Sequence, residues 1–363
     1  MTANAFLITP INKLCEEYDV YLIVNGDTGE LSSEFDESLS VILVRIERKI
    51  MILRDLQALY KLIRIFKSHD FDLIQSVTPK AGLLAMIAAY VCRVKNRIHI
   101  FTGQVWATKT GYSRRVFKQI DSFLASLATE ILVDSESQKN FLVNEKVVPV
   151  GKAHVLGNGS ISGVNLERFK FDITIRENIR EQLSIKEEDN VFLFLGRLNR
   201  DKGVLDLASA FAAMENKDSH LLFVGPDEEG IRTEIEQILV NYTDKVHFIG
   251  FSTKPEHYMS SADILCLPSY REGFGSVVVE AAAVGIPTIG SRIYGIEDAI
   301  VDESTGLLFE VKNWQALQAC MERIVLDKVL LNKLGSNAKK RAEKMFSNQF
   351  LAGEWLSYYK ARL

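Results

Sequence analysis

Two glutamates, Glu272 and Glu280, stand eight residues apart in the stretch REGFGSVVVE, and Gly273, Phe274 and Gly275 follow the first directly. Carboxylates accept hydrogen bonds from vicinal hydroxyls such as sugars present, and glycine lets a backbone come close to a ligand. A second cluster, GRLNRDKG (196–203), places Arg197 and Lys202 just after Gly196. Two cations beside the free N–H groups of a helix start form a cradle for a diphosphate. Taken singly, each feature has a plainer reading: solvated loop cations, an exposed loop carboxylate, a buried glutamate satisfied by backbone amides. Taken together they point to an anionic, hydroxyl-rich ligand.

The elements that would carry these residues follow from pattern. Three consecutive valines (277–279) read locally as a strand, but apolar runs at 263–269 and 286–291 already supply strands on either side. Parallel strands need a crossover of about ten residues or more, usually a helix. Ser276 is therefore expected to cap a buried helix that runs to Val284 and stops at Gly285-Ile286-Pro287. Glu272 then lies in a strand-to-helix loop and Glu280 just over one turn into the helix. Along the whole chain, short apolar runs alternate with helical patterns, which predicts parallel sheets covered by helices. Strands are expected at 20–24, 41–44, 72–76, 97–102, 130–135 and 153–158, and again at 191–196, 220–225, 246–251, 263–269, 286–291 and 306–310. The fold class is α/β: two doubly wound Rossmann-like domains facing a cleft, with ligands at the carboxyl ends of the strands. Residues 4–17 fit a first helix leading into a strand. A doubly wound domain ordinarily opens with a strand before that helix, so a first strand is expected to be missing here.

Length and composition agree. The 363 residues correspond to about two domains at ~150 residues each. Apolar residues make up 47% and charged residues 25%, an ordinary globular balance. A net charge of −4 gives no sign of a nucleic-acid partner. The charge is unevenly spread: residues 40–158 hold 18 Lys and Arg against 9 Asp and Glu. Arg54, Lys61 and Arg64 fall within about 80° of one helix face, and Lys109, Arg114, Arg115 and Lys118 add to the basic surface. Such a surface suits anionic headgroups or a lipid-linked diphosphate, and equally an ordinary solvated face. Cys15, Cys92, Cys266 and Cys320 are scattered without a C-x-x-C pair, the pattern of a reduced cytosolic protein without a structural metal. The start has no secretory pattern, and the longest apolar run (82–92) is far short of the ~20 residues of a membrane span, so membrane contact is expected to be peripheral. The run GNGSISG (157–163) reads as a linking turn, and DFD (70–72) sits at the wrong end of a strand for a metal site.

These residues resemble the retaining, nucleotide-sugar-dependent glycosyltransferases of family 4, which have the GT-B fold. The likeness rests on GNGSISGVNLERF, GRLNRDKG, VGP, VHFIGF, ADILCLPSYREGFGSVVVEAAAVGIPTIGS and TGLLFE, and spans essentially the whole chain. It looks closest to bacterial enzymes building lipid-linked O-antigen, capsule or glycan. The resemblance implies that Arg197 and Lys202 hold the donor diphosphate and stabilise the leaving nucleotide. Glu272 and the backbone of Gly273–Gly275 would contact the donor sugar, with Gly196 and Phe274 lining the site. Glu280 would bind the ribose, and the loop at 249–251 with Phe251 would border the base. No metal cofactor is implied. The histidine that many relatives carry after a first-domain strand is replaced here by Thr102 and Gly103, which take the sugar-facing position, while His99 reads as a core residue. Expected domains are 1–165 on the acceptor side, 166–345 for the nucleotide sugar (UDP favoured over GDP), and a terminal helix, 346–363, returning to the first. Expected partners are a nucleotide-sugar donor, a lipid-linked or saccharide acceptor and an anionic membrane surface, with the chain on the cytoplasmic side. Rival readings are a UDP-sugar 2-epimerase on the same fold and an inactive sugar-nucleotide-binding remnant.

Overall fold

Near-continuous apolar runs form strands buried on both faces, because alternate side chains must fill separate layers above and below a sheet. A computed structural model, describing residues 2–25, 31–47, 51–216 and 218–363, places a strand in each expected run. The chain divides into two units: residues 1–163 with 348–363, and residues 164–347.

In the first unit the strands are β1 (Tyr21–Val24), β2 (Ser40–Leu43), β3 (Leu73–Ser76), β4 (Asn96–Phe101), β5 (Glu130–Val133) and β6 (Ala153–Val155). All pairings are parallel, but β1 pairs with β2 alone while β3-β4-β5-β6 form a separate ladder. β1 and β3 are not hydrogen-bonded to each other, so this sheet is divided among the described residues. The helices Ile52–His69, Pro79–Val91 and Gly111–Leu127 cover one face, burying Leu62, Phe66, Met86 and Leu124 against Ile131 and Val133. The other face carries Ile98, Ile100 and Leu132 against Leu14, Leu351 and Trp355, so the helix Asn348–Lys360 belongs to this unit. The expected first helix is broken at Leu7 into Thr2–Phe6 and Ile8–Cys15. His99 fills the space above Gly82, accepts or donates a 2.8 Å bond with Ser76 Oγ, and is driven down to about 3 by burial, as befits a core histidine.

In the second unit the strands are β7 (Asn190–Leu195), β8 (Ser219–Val224), β9 (Val246–Gly250), β10 (Ile264–Leu267), β11 (Thr288–Ser291) and β12 (Gly306–Phe309). They form one parallel sheet in the order β12-β11-β10-β7-β8-β9. Val191 and Leu193 face one core layer, Phe192 and Phe194 the other, all fully buried. The chain winds outward from β7 in one direction and from β10 in the opposite one. The boundary between β7 and β10 is therefore the switch point at which a doubly wound sheet opens a crevice at its carboxyl edge.

Candidate donor site

At that switch point the loops leaving β7 and β10 meet. The loop after β7 turns at Asn199, whose side-chain Oδ1 accepts from Lys202 N at 3.1 Å, and passes through Gly203 into the helix Val204–Ala212. Gly203 has φ 66°, and a Cβ there would lie 2.1 Å from the Pro268 carbonyl oxygen. Only glycine lets the two loops come this close. Tyr270 N then donates to Asp201 O at 2.8 Å, and Tyr270 Oη to Asp206 Oδ2 at 2.8 Å, sealing the loops together.

The result is a direct ion pair between Lys202 Nζ and Glu272 Oε1, residues seventy apart in sequence. Ser269 Oγ donates to the same carboxylate oxygen at 2.8 Å. Both charged side chains are largely but not fully covered, which leaves the second carboxylate oxygen and the remaining ammonium protons for a ligand. Arg197 lies in the same loop but reaches outward, pairing with Glu228 Oε2 at 2.9 Å across the β8 loop. Gly196 N donates to Val224 O, and Gly225 packs so tightly that a Cβ would meet Gly196 O at 1.9 Å.

The stretch after Glu272 corrects one expectation. Gly275, not Ser276, is the N-cap of the helix Ser276–Val284, and it needs the left-handed backbone (φ 75°) that glycine tolerates. In the Gly273–Gly275 segment, expected to meet the sugar through its backbone, Phe274 turns its ring inward. It is buried in the core with Phe346, ring centres 5.3 Å apart, so only its backbone is left to a ligand. That burial anchors the Gly273–Gly275 loop, and Gly295 fits beneath it with no room for a Cβ 2.4 Å from Gly273 O. The helix itself ends at Gly285 as expected, with Val278 and Val279 buried.

Glu280 lies on this helix, half-covered, with no hydrogen-bond partner for its carboxyl among the described residues. Burial pushes it up to about 7, opposed by the Arg168 guanidinium and reinforced by Glu256. Arg168 is held by Glu256 (3.0 Å) and by Thr253 O (2.8 Å), in the segment that follows β9 and Phe251. Phe251 is three-quarters exposed. Glu280 thus neighbours the loop expected to border a base. Thr102 and Gly103 follow β4 in the first unit, Thr102 exposed and Gly103 with φ 113°. Ser269, Asn199 and Glu228 were missed from sequence. A signal existed for Ser269: a serine closing a buried apolar run must find a polar partner.

Comparison with known proteins gives the family and the fold. Residues 175–341 match the glycosyl transferases group 1 model, and residues 13–159 the glycosyl transferase 4-like domain. This chain is built of two glycosyltransferase domains. The transferase is 29% identical over 345 residues to the capsular polysaccharide biosynthesis glycosyltransferase CapM of Staphylococcus aureus, covering 94% of this chain and 90% of that protein. It is 27% identical over 348 residues to the UDP-Gal:alpha-D-GlcNAc-diphosphoundecaprenol alpha-1,3-galactosyltransferase of Escherichia coli, covering 91% and 88%. Among solved structures, Anabaena Alr3699/HepE in complex with UDP and glucose superposes with a TM-score of 0.82 at 19% identity, covering 97% of this chain and 94% of that one. The transferase therefore has the GT-B fold, with two Rossmann-like domains.

Proposed function

We propose that the transferase moves a hexose or N-acetylhexosamine from a UDP-sugar to a lipid-linked diphosphate acceptor, with retention of configuration, in the assembly of a surface polysaccharide. The observation that carries the reading is the Lys202–Glu272 pair at the switch point, braced by Ser269 and flanked by the Gly273–Gly275 backbone. Lys202 supplies the positive charge that a departing diphosphate needs, joined by Arg197 once the donor draws it from Glu228, in place of a divalent metal. Glu272 holds the donor sugar, and Glu280 accepts the ribose hydroxyls. Glu272 is already engaged by Lys202 and Ser269, so its part is to position the sugar. The acceptor hydroxyl then loses its proton to the leaving phosphate on the same face of the sugar, which is the route to retention. The curated relatives support the acceptor class, since one carries diphosphoundecaprenol in its name and another a role in capsule synthesis. Nucleotide release against a panel of UDP- and GDP-sugars, with undecaprenyl-diphosphate-linked saccharides as acceptors, tests the reading. Proton NMR of the new linkage reports its anomeric configuration, and activity in EDTA reports metal independence. No acceptor-dependent release from any UDP-sugar, or an inverted linkage, would overturn the corresponding part.

A further inference from the structure

The polar contacts that join the loop leaving β7 to the loop leaving β10 do different work. Tyr270 N donates to Asp201 O at 2.8 Å, a backbone tie that fixes only the start of the second loop. Arg271 reaches Asp201 Oδ2 at 3.4 Å, a loose pair whose acidic partner is nearly half exposed. Lys202 pairs with Glu272, the two groups read above as donor-binding. Tyr270 Oη donates to Asp206 Oδ2 at 2.8 Å, and Asp206 stands in the first turn of the helix Val204–Ala212.

The phenol contact combines strength with a rigid mount. A carboxylate acceptor makes it stronger than a bond between neutral groups. Asp206 rides on a helix anchored in the core of the second unit by Leu207 and Phe211. Burial, and then the Asp206 carboxylate, push the Tyr270 phenol upward, so it keeps its proton and stays a donor at neutral pH. Lys312, in the segment that follows β12, lies over the Tyr270 ring, 5.1 Å from its centre. Neither Tyr270 nor Asp206 hydrogen-bonds through its side chain to Lys202 or Glu272.

We propose that Tyr270 and Asp206 are positioning residues for the transfer, their bond keeping the two loops in register while a donor occupies the Lys202–Glu272 pair. The inference rests on the donor reading above and deepens it. In the empty site the ion pair itself ties the loops together. A bound donor draws on both members, its phosphates on the ammonium and its sugar hydroxyls on the carboxylate, so their mutual contact weakens. That is the moment at which the spacing of the two groups matters to the chemistry. The phenol tether takes no part in binding and keeps its hold. Its loss therefore loosens the second loop chiefly in the occupied site.

The test compares Tyr270→Phe, Asp206→Ala and Asp206→Asn in the full chain, by nucleotide release from a UDP-sugar and by hydrogen exchange with and without UDP. Tyr270→Phe keeps the ring and its contact with Lys312. It and Asp206→Ala are each expected to lower kcat about ten- to a hundredfold, the scale on which small misplacements act, with UDP affinity unchanged. The double variant should be no slower than the slower single one, because both remove the same contact. Asp206→Asn, whose amide oxygen still accepts from the phenol, should restore most of the rate. Amides of residues 269–275 should exchange faster than in wild type when UDP is bound, and much as in wild type without it. A purely structural role would loosen them equally in both states and lower UDP affinity along with kcat, and that outcome would overturn the proposal. So would single losses that multiply in the double variant. Wild type that binds no UDP would strike the donor reading and this inference together. UDP binding with unchanged rate and exchange in Tyr270→Phe would strike this inference alone.

Discussion

Lys202 is held by three constraints: a turn capped by Asn199, a glycine that admits Pro268, and the Glu272 carboxylate. Replacing it with alanine keeps the turn, because the cap uses its backbone N–H, and removes the charge proposed to face the donor phosphates. Lys202→Ala and Glu272→Ala are each expected to lower kcat/KM by ~10²–10³, the usual cost of deleting one preorganised stabilising group, with an unchanged melting curve. Near-normal nucleotide release in both would remove them from the site. Glu280 gives a pH signature. Burial favours its neutral form up to about 7, and a protonated carboxyl can no longer accept from both of the ribose hydroxyls proposed for it. Donor KM should therefore rise as the pH falls through about 7, and Glu280→Gln should flatten that profile. Asp134, at the end of β5, is a buried acid pushed up to about 8, with Oδ1 lacking any partner among the described residues. The folded chain holds this proton where the unfolded chain releases it. Its contribution to stability is thus complete in acid and lost as the pH rises through about 8. Asp134→Asn is expected to raise Tm in alkaline buffer and leave it unchanged in acid.

Strands and helices were legible because burial leaves a periodic trace. VFLFLG could only be a strand covered on both sides, and the crossover requirement turned SVVVEAAAV into a helix against its valines. What could not be read was which loops would meet. Lys202 touches Glu272 only because β10 lies beside β7, and the order of strands in a sheet is not written in their order along the chain. The inward packing of Phe274 was hidden for the same reason, since its partner Phe346 lies far along the sequence. A count of basic residues likewise leaves free the charges that Glu47 and Glu145 take up. Close loop approach makes its own prediction. Gly111 shares the left-handed backbone of Gly203 (φ 61°) but has nothing within 4 Å of an added Cβ. Gly111→Ala should cost only the backbone term, about 1–2 kcal/mol. Gly203→Ala must also push the loop off Pro268, so its denaturation midpoint should fall further and donor KM should rise with it.

The first unit is assembled from two distant pieces of sequence, and the helix Asn348–Lys360 closes its second face. Trp355 is fully buried there, its Nε1 donating to Ile161 O at 2.9 Å. Trp355→Ala should cost about 3–5 kcal/mol. Hydrogen exchange should show the loss of protection in residues 1–163 and leave residues 164–347 protected. Uniform deprotection of both would show that the units do not open separately. Synthesis gives the same arrangement a meaning in time. A ribosome adding about 5–20 residues per second needs roughly 10–40 s to make the intervening unit. Throughout that interval Ile98, Ile100 and Leu132 lack the cover that Leu351 and Trp355 later supply. The nascent chain thus holds a finished second domain and an unfinished first one, and it is in that window that a chaperone would find its substrate.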